Sequence, residues 1–255
     1  MSADEYTPAS EIAGRLSRVR SRIRAACERS GRREAEVSLI AVSKLKPFAD
    51  IAEAGAAGVE DFGENYVQEL TGKIAENAAL PDPLQIRWHM IGHLQKNKVK
   101  YLIGRTALIH SVDSVPLAAQ IEKEAAKQDR TERILLEVNV AGEESKWGFS
   151  PASVRQAARE ILPFPHVRVL GLMTSAPLTD DPETNRPYFR ALASLARELA
   201  AEGLLAPEDS LFRVPVLSMG MTGDFEVAVE EGATMVRVGT AIFGKREPQN
   251  GGTKK

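Results

Sequence analysis

Lys44 is a residue whose position in the chain suggests covalent chemistry. Four apolar residues, 39–42, lead through Ser43 to this lysine. An amine at the rim of an apolar core is partly desolvated, which lowers its pKa and makes it a nucleophile toward aldehydes. The alternative is a structural lysine whose ammonium group reaches bulk water along its aliphatic stem. Taken alone, the position of Lys44 favours the structural alternative.

Arg237 is a cation in the middle of a second apolar run, 235–239. In a strand, successive side chains point to opposite faces, so Val236 and Val238 share one face and Arg237 takes the other. If helices cover the valines, the guanidinium points into the core, where it stays charged and needs an acceptor. Two acceptors fit: the carboxylate of Glu137, in a salt bridge that only stabilises the fold, or a group on a bound ligand.

Two segments combine glycine with hydroxyl side chains in the manner of phosphate-binding loops. Ser218 begins the stretch SMGMT, and Gly239 and Thr240 begin the stretch GTAIFG. Gly239 allows a close approach of the backbone, and Thr240 opens a helical turn whose N–H groups can face an anion. Ordinary turn chemistry is the alternative at both places, with Thr222 capping the helix that follows.

The elements that must position these residues repeat along the chain. After an amphipathic helix that buries Ile12 and Cys27 on one stripe, short runs rich in Val, Ile and Leu alternate with helix-like segments. The runs are too continuous for half-exposed strands and indicate parallel strands covered on both faces. They lie at residues 38–44, 60–64, 87–92, 107–111, 133–140, 167–174, 214–218 and 235–239. The helix-like segments lie at residues 47–57, 67–78, 95–103, 115–128, 151–161, 187–201 and 225–231.

This alternation predicts an α/β fold, a single (β/α)8 TIM-type barrel with one extra N-terminal helix. An open doubly wound sheet is the alternative, but it usually has fewer units and a glycine-rich phosphate turn. In a barrel the chemistry lies at the C-terminal ends of the strands, so Lys44, Ser218 and Gly239 should meet there. We expect one domain over residues 1–255, with flexible tails at about 1–10 and 245–255.

The composition removes several classes of function. With a formal net charge of −2, the chain has no electrostatic reason to bind nucleic acid or an anionic membrane. Neither G-x-G-x-x-G nor a Walker A motif occurs, which counts against nucleotide binding through those loops. His89 and His93 are four residues apart, but on a predicted strand and its exit loop, so we expect no metal site.

Cysteine usage and hydropathy indicate the compartment. Cys27 is the one cysteine, so it has no partner for an intramolecular disulfide, and a reducing compartment fits best. No apolar run reaches the roughly 18 residues that a membrane helix needs, and the first residues do not read as a signal peptide. The sequence therefore predicts a cytoplasmic protein.

Five motifs together resemble those of the pyridoxal phosphate homeostasis proteins, the YggS/PROSC family, whose fold resembles the N-terminal barrel of alanine racemase. The resemblance covers residues 39–244 in order. The motifs are AVSKLKP at 41–47, FGENY at 62–66, WHMIGHLQKNK at 88–98, LSMGM at 217–221 and VRVGT at 236–240.

The resemblance implies a cofactor, pyridoxal 5′-phosphate (PLP), held as a Schiff base on Lys44. It also implies that Arg237 faces the pyridine nitrogen and that Asn65 lines the cofactor at the end of the second strand. By the same resemblance, the phosphate of PLP would be held by Ser218, Gly239 and Thr240. Thr222 stands where many relatives have serine, and the hydroxyl group is kept.

The resemblance further implies intracellular PLP homeostasis, in which the protein is a non-catalytic carrier or buffer and its partners include apo PLP-dependent enzymes. An arginine at the pyridine nitrogen makes the ring a poorer electron sink, which disfavours carbanion chemistry. Alanine racemases also use a tyrosine from another domain and subunit, and here only Tyr66 lies near a predicted strand end. Lacking that domain, the chain is expected to be a monomer. A PLP-dependent amino-acid racemase and a cofactor-free lysine aldolase remain the alternatives.

Lys46 and Lys146 suggest a second docking point for released cofactor, because they lie just after Lys44 and in the loop after the fifth strand. We predict that Lys44→Ala protein still binds PLP weakly, and that replacing Lys46 and Lys146 as well abolishes this binding. Equilibrium dialysis with PLP measures both values. Complete loss of binding in the single variant would contradict the hypothesis.

Overall fold

Eight parallel strands close into a barrel in the computed structural model, which describes residues 11–143 and 145–244. Each strand pairs with the next in sequence, and the first pairs with the last. The strands are β1 Ser38–Val42, β2 Asp61–Glu64, β3 Arg87–Met90, β4 Leu108–Val112, β5 Glu132–Glu137, β6 Val167–Met173, β7 Val216–Ser218 and β8 Met235–Val238. The predicted (β/α)8 barrel is confirmed, whereas the predicted flexible tails lie outside the described residues.

Helices follow the strands and cover the barrel. The α-helices are α1 Glu11–Arg29, α2 Phe48–Ala56, α3 Val67–Ala78, α4 Val115–Ala126, α5 Val154–Ile161, α6 Arg186–Ala201, α7 Phe225–Glu230 and α8 Thr240–Phe243. Short 3-10 helices occupy Glu34–Glu36, Lys96–Tyr101 and Pro182–Asn185. Within the described part of the chain, no helix is both long enough and apolar enough to cross a bilayer.

One predicted helix and the end of the first predicted strand differ from the structure near the C-terminal end of the barrel. The segment 95–103, predicted as a helix, forms a 3-10 helix at Lys96–Tyr101, because residues 95–98 supply no apolar side chain for a first α-helical turn, although Val99, Leu102 and Ile103 are buried. The first strand ends at Val42, two residues early, because Leu45 takes a left-handed conformation (φ +60°) and turns the chain. Lys44 therefore lies in the turn just past β1.

Two apolar layers fix the direction of the strand side chains. The outer layer joins the helices to outward-facing residues such as Val236 and Val238. The inner layer fills the barrel, and its buried members are Ile40, Leu108, Leu135, Leu170, Met173, Phe212, Val216 and Met235. Because Met235 and Arg237 are two residues apart, they share the inner face, and the prediction that Arg237 points into the barrel is confirmed.

The extra N-terminal helix packs on the outer layer against α2, α7 and α8. Its buried stripe includes Leu16, Val19, Ile23 and Cys27. The expected core position of Cys27 is confirmed, since only 1% of this residue is exposed. This helix therefore packs on helices that follow the first strand and the last two strands, where the barrel closes.

We predict that Leu16→Ala lowers the free energy of unfolding by about 2–5 kcal/mol, because it leaves a cavity in the outer layer. Urea denaturation followed by circular dichroism measures the change. The neighbouring exposed residue gives a matched control, Ser17→Ala, which should alter the free energy by less than about 0.5 kcal/mol. Equal losses in the two variants would mean that α1 is not anchored through this stripe.

Candidate functional site

A cavity of about 480 Å³ lies at the C-terminal end of the barrel. It brings together five of the six site residues predicted from the sequence: Lys44, Asn65, Arg237, Gly239 and Thr240. The other lining residues are Val42, Ile91, Ser175, Leu178, Met221, Thr222 and Gly223. Its volume suits a single small molecule.

The guanidinium of Arg237 is the buried charge of this cavity. Only 4% of the residue is exposed. Nη1 donates to Ser218 Oγ at 2.7 Å, and Nη2 donates to the Thr174 carbonyl at 2.8 Å and to Ser175 Oγ at 3.5 Å. Within the described residues, no ion pair includes Arg237, so its partners are neutral oxygens. A cation of this kind favours a ligand that supplies an acceptor.

Glu137, the acceptor that the sequence offered for a structural salt bridge, acts on Arg237 only through its charge. Burial lowers the pKa of Arg237 to about 10, and the charges of Glu137 and Asp224 oppose that shift. Burial and the nearby charge of Asp113 raise the pKa of Glu137 to about 7, and Arg237 opposes this. At neutral pH the guanidinium is therefore charged and Glu137 only partly so, and the proposed salt bridge is not formed.

Ser218 is the predicted site residue that the structure does not place on the cavity lining. Its side chain is fully buried, and Oγ lies 2.7 Å from Arg237 Nη1 and 2.8 Å from His110 Nδ1. The hydroxyl group is thus bonded to protein on both sides. Direct contact between Ser218 and a phosphate stays a prediction.

Thr222 is a lining residue that the sequence analysis treated mainly as a helix cap. The residue before α7 is instead Asp224, whose carboxylate accepts from the Met221 N–H at 2.7 Å and from Asn185 Nδ2 at 2.8 Å. This bracing holds the loop after β7 and leaves Thr222 on the cavity. The position of Thr222 in a βα loop was the signal that could have identified it.

A buried cluster holds the backbone on both sides of Lys44. Lys73 Nζ donates to the Ser43 carbonyl at 2.8 Å and to Oε1 of Glu64 and of Glu69 at 2.7 Å each. Ser43 Oγ donates to Glu64 at 2.6 Å, and the N–H of Leu45 donates to Glu69. The peptide groups before and after Lys44 are therefore fixed by the Lys73 ammonium and the Glu69 carboxylate, and Glu64 holds the Ser43 side chain.

Glu64 is the member of this cluster whose charge costs most to remove from water, since it is fully buried. Burial raises its pKa, and the hydrogen bonds from Lys73 and Ser43 partly offset that shift. The sequence does not reveal this cluster, because Glu64, Glu69 and Lys73 are spread over a strand and a helix. Only the i, i+4 spacing of Glu69 and Lys73 on α3 was a local signal.

Close backbone contact positions Asn65 at the end of β2. A Cβ atom at Gly92 would lie 2.5 Å from the Asn65 carbonyl oxygen, so only glycine fits beside it. Asn65 lines both the central cavity and an adjoining one of about 410 Å³ that includes Tyr66 and His93. Tyr66 is 55% exposed and is not among the residues that line the central cavity.

A third cavity, of about 670 Å³, is lined by His93, Asp113, Lys146 and Trp147 among others. The His93 ring stacks on Trp147 with centroids 4.0 Å apart. Lys146 Nζ donates to Glu143 at 2.7 Å and to the Ser175 carbonyl at 3.3 Å.

Lys46 Nζ instead donates to the Phe243 carbonyl at 2.8 Å. Both lysines of the proposed second docking point are thus bonded to protein, and that hypothesis stays a prediction.

His89 lies inside the barrel and His93 outside it, so the two histidines do not meet.

The chain matches one family model, described as the N-terminal domain of alanine racemase, over residues 15–247. A curated relative named pyridoxal phosphate homeostasis protein from Aquifex aeolicus is 48% identical over 233 residues, which are 91% of this chain and 97% of the relative. This identity extends over nearly the full length of both proteins.

Two solved structures give the corresponding comparison in three dimensions. The structure of PipY from Synechococcus elongatus PCC7942 with PLP bound is 37% identical, with a TM-score of 0.77, and the match covers 92% of this chain and all of that one. Alanine racemase of Clostridium difficile 630 is 13% identical with a TM-score of 0.67. The match covers 94% of this chain but 57% of the racemase, and this likeness concerns the fold alone.

We predict that Lys73→Met lowers the free energy of unfolding by about 3 kcal/mol, because it leaves Glu64 buried without its cation. Urea denaturation at neutral pH measures the loss. Lys127, an exposed lysine paired with Glu124, provides a matched control, Lys127→Met, which should cost less than about 1 kcal/mol because its ammonium is in contact with water. Similar costs at both lysines would show that the cluster beside Lys44 does not stabilise the fold.

Proposed function

Because the chain belongs to the pyridoxal phosphate homeostasis protein family, we propose that it binds PLP as a Schiff base on Lys44 and acts as a carrier or buffer of that cofactor. The ligand occupies the central cavity at the C-terminal end of the barrel. PipY, the related protein of known structure, is described with PLP bound, which supports the same cofactor here.

The buried guanidinium of Arg237 is the observation that carries the proposal. It lines the same cavity as Lys44, and within the described chain it has neutral oxygen partners and no carboxylate. An acceptor on the ligand, the pyridine nitrogen, fits beside a donor that cannot accept. The amine and this donor would thus contact opposite sides of one small aromatic molecule.

The phosphate of a bound cofactor would be held between the loops that follow β7 and β8. Gly239 and Thr240 contribute from the second loop, and the hydroxyl of Thr222 contributes from the first. Ser218 stands behind Arg237, where its hydroxyl supports the guanidinium. Asn65 lines the same cavity from the end of β2 and would contact the ring of a bound cofactor.

Bound PLP supplies an aldehyde that captures amines and a ring that can withdraw electrons. Arg237 donates hydrogen bonds and cannot accept them, so the ring nitrogen facing it stays unprotonated. An unprotonated ring withdraws electrons less strongly. These properties favour holding the cofactor over turning over amino acids, and we therefore propose a non-catalytic role.

The cellular setting follows from the same role. We propose a cytoplasmic monomer that delivers PLP to apo PLP-dependent enzymes, without nucleic acid or membrane partners. The formal net charge of −2 supports the absence of electrostatic attraction to either surface.

We predict that borohydride reduction of the PLP-treated protein places a pyridoxyl group on Lys44, which peptide mass spectrometry identifies. A visible absorption band should appear on adding PLP and be absent in Lys44→Ala protein. A nearby lysine gives the matched control, Lys46→Arg, which should keep the band and the adduct on Lys44. Arg237→Gln should weaken PLP binding about tenfold or more, since a charge-assisted hydrogen bond is lost.

Other outcomes assign the protein to another class. An adduct on a different lysine would contradict the proposed site, and a colourless protein that forms adducts with small aldehydes would indicate an aldolase. Rapid, stereochemically defined deuterium exchange at the Cα atom of an added amino acid would indicate a racemase. A carrier should show neither activity.

A further inference from the structure

A line of buried polar side chains crosses the interior of the barrel below the central cavity. Arg237 Nη1 lies 2.7 Å from Ser218 Oγ, which lies 2.8 Å from His110 Nδ1. His110 Nε2 lies 2.9 Å from His89 Nδ1, and His89 Nε2 lies 2.9 Å from Asp61 Oδ1. Five strands, β8, β7, β4, β3 and β2, each contribute one of these side chains.

The far end of this line is an ion pair at the opposite mouth of the barrel. Arg87 donates twice to the carboxylate of Asp61, with both contacts at 2.7 Å. Burial alone would raise the pKa of Asp61, but the bonds from Arg87 and His89 lower it to about 2. Both residues line a cavity of about 270 Å³ at the N-terminal end of the strands. The line of side chains that starts at Arg237 thus ends at the Asp61 carboxylate, which only accepts hydrogen bonds.

The two ends determine where every hydrogen between them must lie. Arg237 can only donate, so Ser218 Oγ accepts, and its own hydrogen goes to Nδ1 of His110. His110 then carries its hydrogen on Nε2 and donates to His89 Nδ1. His89 likewise carries its hydrogen on Nε2 and donates to Asp61. Both imidazoles are neutral in this arrangement, and every hydrogen points from Arg237 toward Asp61.

The reverse direction is unfavourable for reasons of charge and hydrogen bonding. It requires an imidazolium at His89, beside a carboxylate whose charge Arg87 already balances. Ser218 Oγ would then receive N–H groups from both Arg237 and His110, and its own hydrogen would lose His110 as acceptor. An imidazolium at His110 is disfavoured separately, because burial, followed by the proximity of His89 and Arg237, lowers the pKa of His110 well below its usual value.

The surroundings make any broken link costly. Inner-layer residues such as Leu108, Leu135 and Met235 fill the barrel, and the ring of Phe212 lies 5.9 Å from that of His89. His89, His110 and Ser218 are fully buried. An unsatisfied polar group in such an apolar interior costs more than one near water.

We propose that Asp61, His89, His110 and Ser218 form a one-directional hydrogen-bond chain that positions the Arg237 guanidinium in the cavity from the opposite end of the barrel. The hydroxyl hydrogen of Ser218 is committed to His110, so Ser218 affects a ligand through Arg237. The effect of the chain on cofactor affinity rests on the proposed function. Its hydrogen positions do not, since they belong to the protein without ligand.

Nitrogen-15 NMR of histidine-labelled, PLP-free protein at neutral pH tests the hydrogen positions directly. The chain contains four histidines, of which His93 and His166 lie outside the line and serve as internal references. We expect His89 and His110 both to be neutral with the hydrogen on Nε2. A hydrogen on Nδ1 of either ring, or an imidazolium at His89, would overturn the proposal.

Asp61→Asn tests the control exerted by the far end. An asparagine amide can donate or accept, so the direction is no longer fixed, and we expect His110 to show a mixture of the two neutral forms. PLP affinity should fall about tenfold, because the guanidinium is less firmly held. The surface histidine paired with Glu122 gives a control variant, His166→Gln, which should change neither signal.

A folding defect is excluded by thermal unfolding of each variant. If Asp61→Asn does not fold, Ser218→Ala replaces it, and the Nδ1 signal of His110 should then shift because its donor is gone. Unchanged His110 signals in a folded variant would overturn the proposal. If the unmodified protein binds no PLP, the proposed function fails, while the NMR result alone still decides the hydrogen positions.

Discussion

The rest of this structure depends on one buried guanidinium, which has no carboxylate partner among residues 11–143 and 145–244. Arg237 cannot lose its charge at neutral pH, and its buried contacts are to a hydroxyl and a carbonyl. Replacing water around such a cation is costly, so neighbouring groups must each be placed to accept from it. The cavity above it offers the remaining direction from which an acceptor can approach.

Closure of the barrel makes this cation useful, because it joins the first strand to the last. β1 and β8 are hydrogen-bonded neighbours with Ile40 opposite Arg237, although nearly two hundred residues separate them in the sequence. Lys44 follows β1, and Gly239 and Thr240 follow β8, so an amine, a fixed cation and a glycine turn reach one cavity. An open sheet would leave these two strands on opposite edges.

Two polar networks inside this apolar molecule have related tasks. The cluster of Glu64, Glu69 and Lys73 fixes the peptide groups on either side of Lys44. The line from Asp61 to Ser218 reaches the guanidinium from below. Both begin on β2, whose first and last residues are buried carboxylates. In each network the burial of a charge is compensated by a partner of opposite sign, which restricts how the site can relax.

The sequence by itself determined the barrel, the inward direction of Arg237 and part of the cavity lining. These features follow from local periodicity: continuous apolar runs mark the strands, and alternation assigns their faces. The ends of the predicted strands likewise placed Lys44, Gly239 and Thr240 at one site, and the resemblance to a known family added Asn65. The helix predicted at 95–103 was wrong, because its buried residues Val99, Leu102 and Ile103 have helical spacing and yet the chain forms 3-10 turns there, which spacing along the sequence does not distinguish from an α-helix.

Only the tertiary structure decided which groups serve Arg237. Glu137 was a reasonable partner by its place on β5, yet the guanidinium bonds to Ser218 and Thr174 instead. His89 and His110 carry no sequence signal for each other, because they meet only where two neighbouring strands turn their inner faces together. Whether a hydrogen bond forms depends on differences of a few tenths of an ångström between donor and acceptor. These distances follow from packing across the whole barrel and not from spacing along the chain.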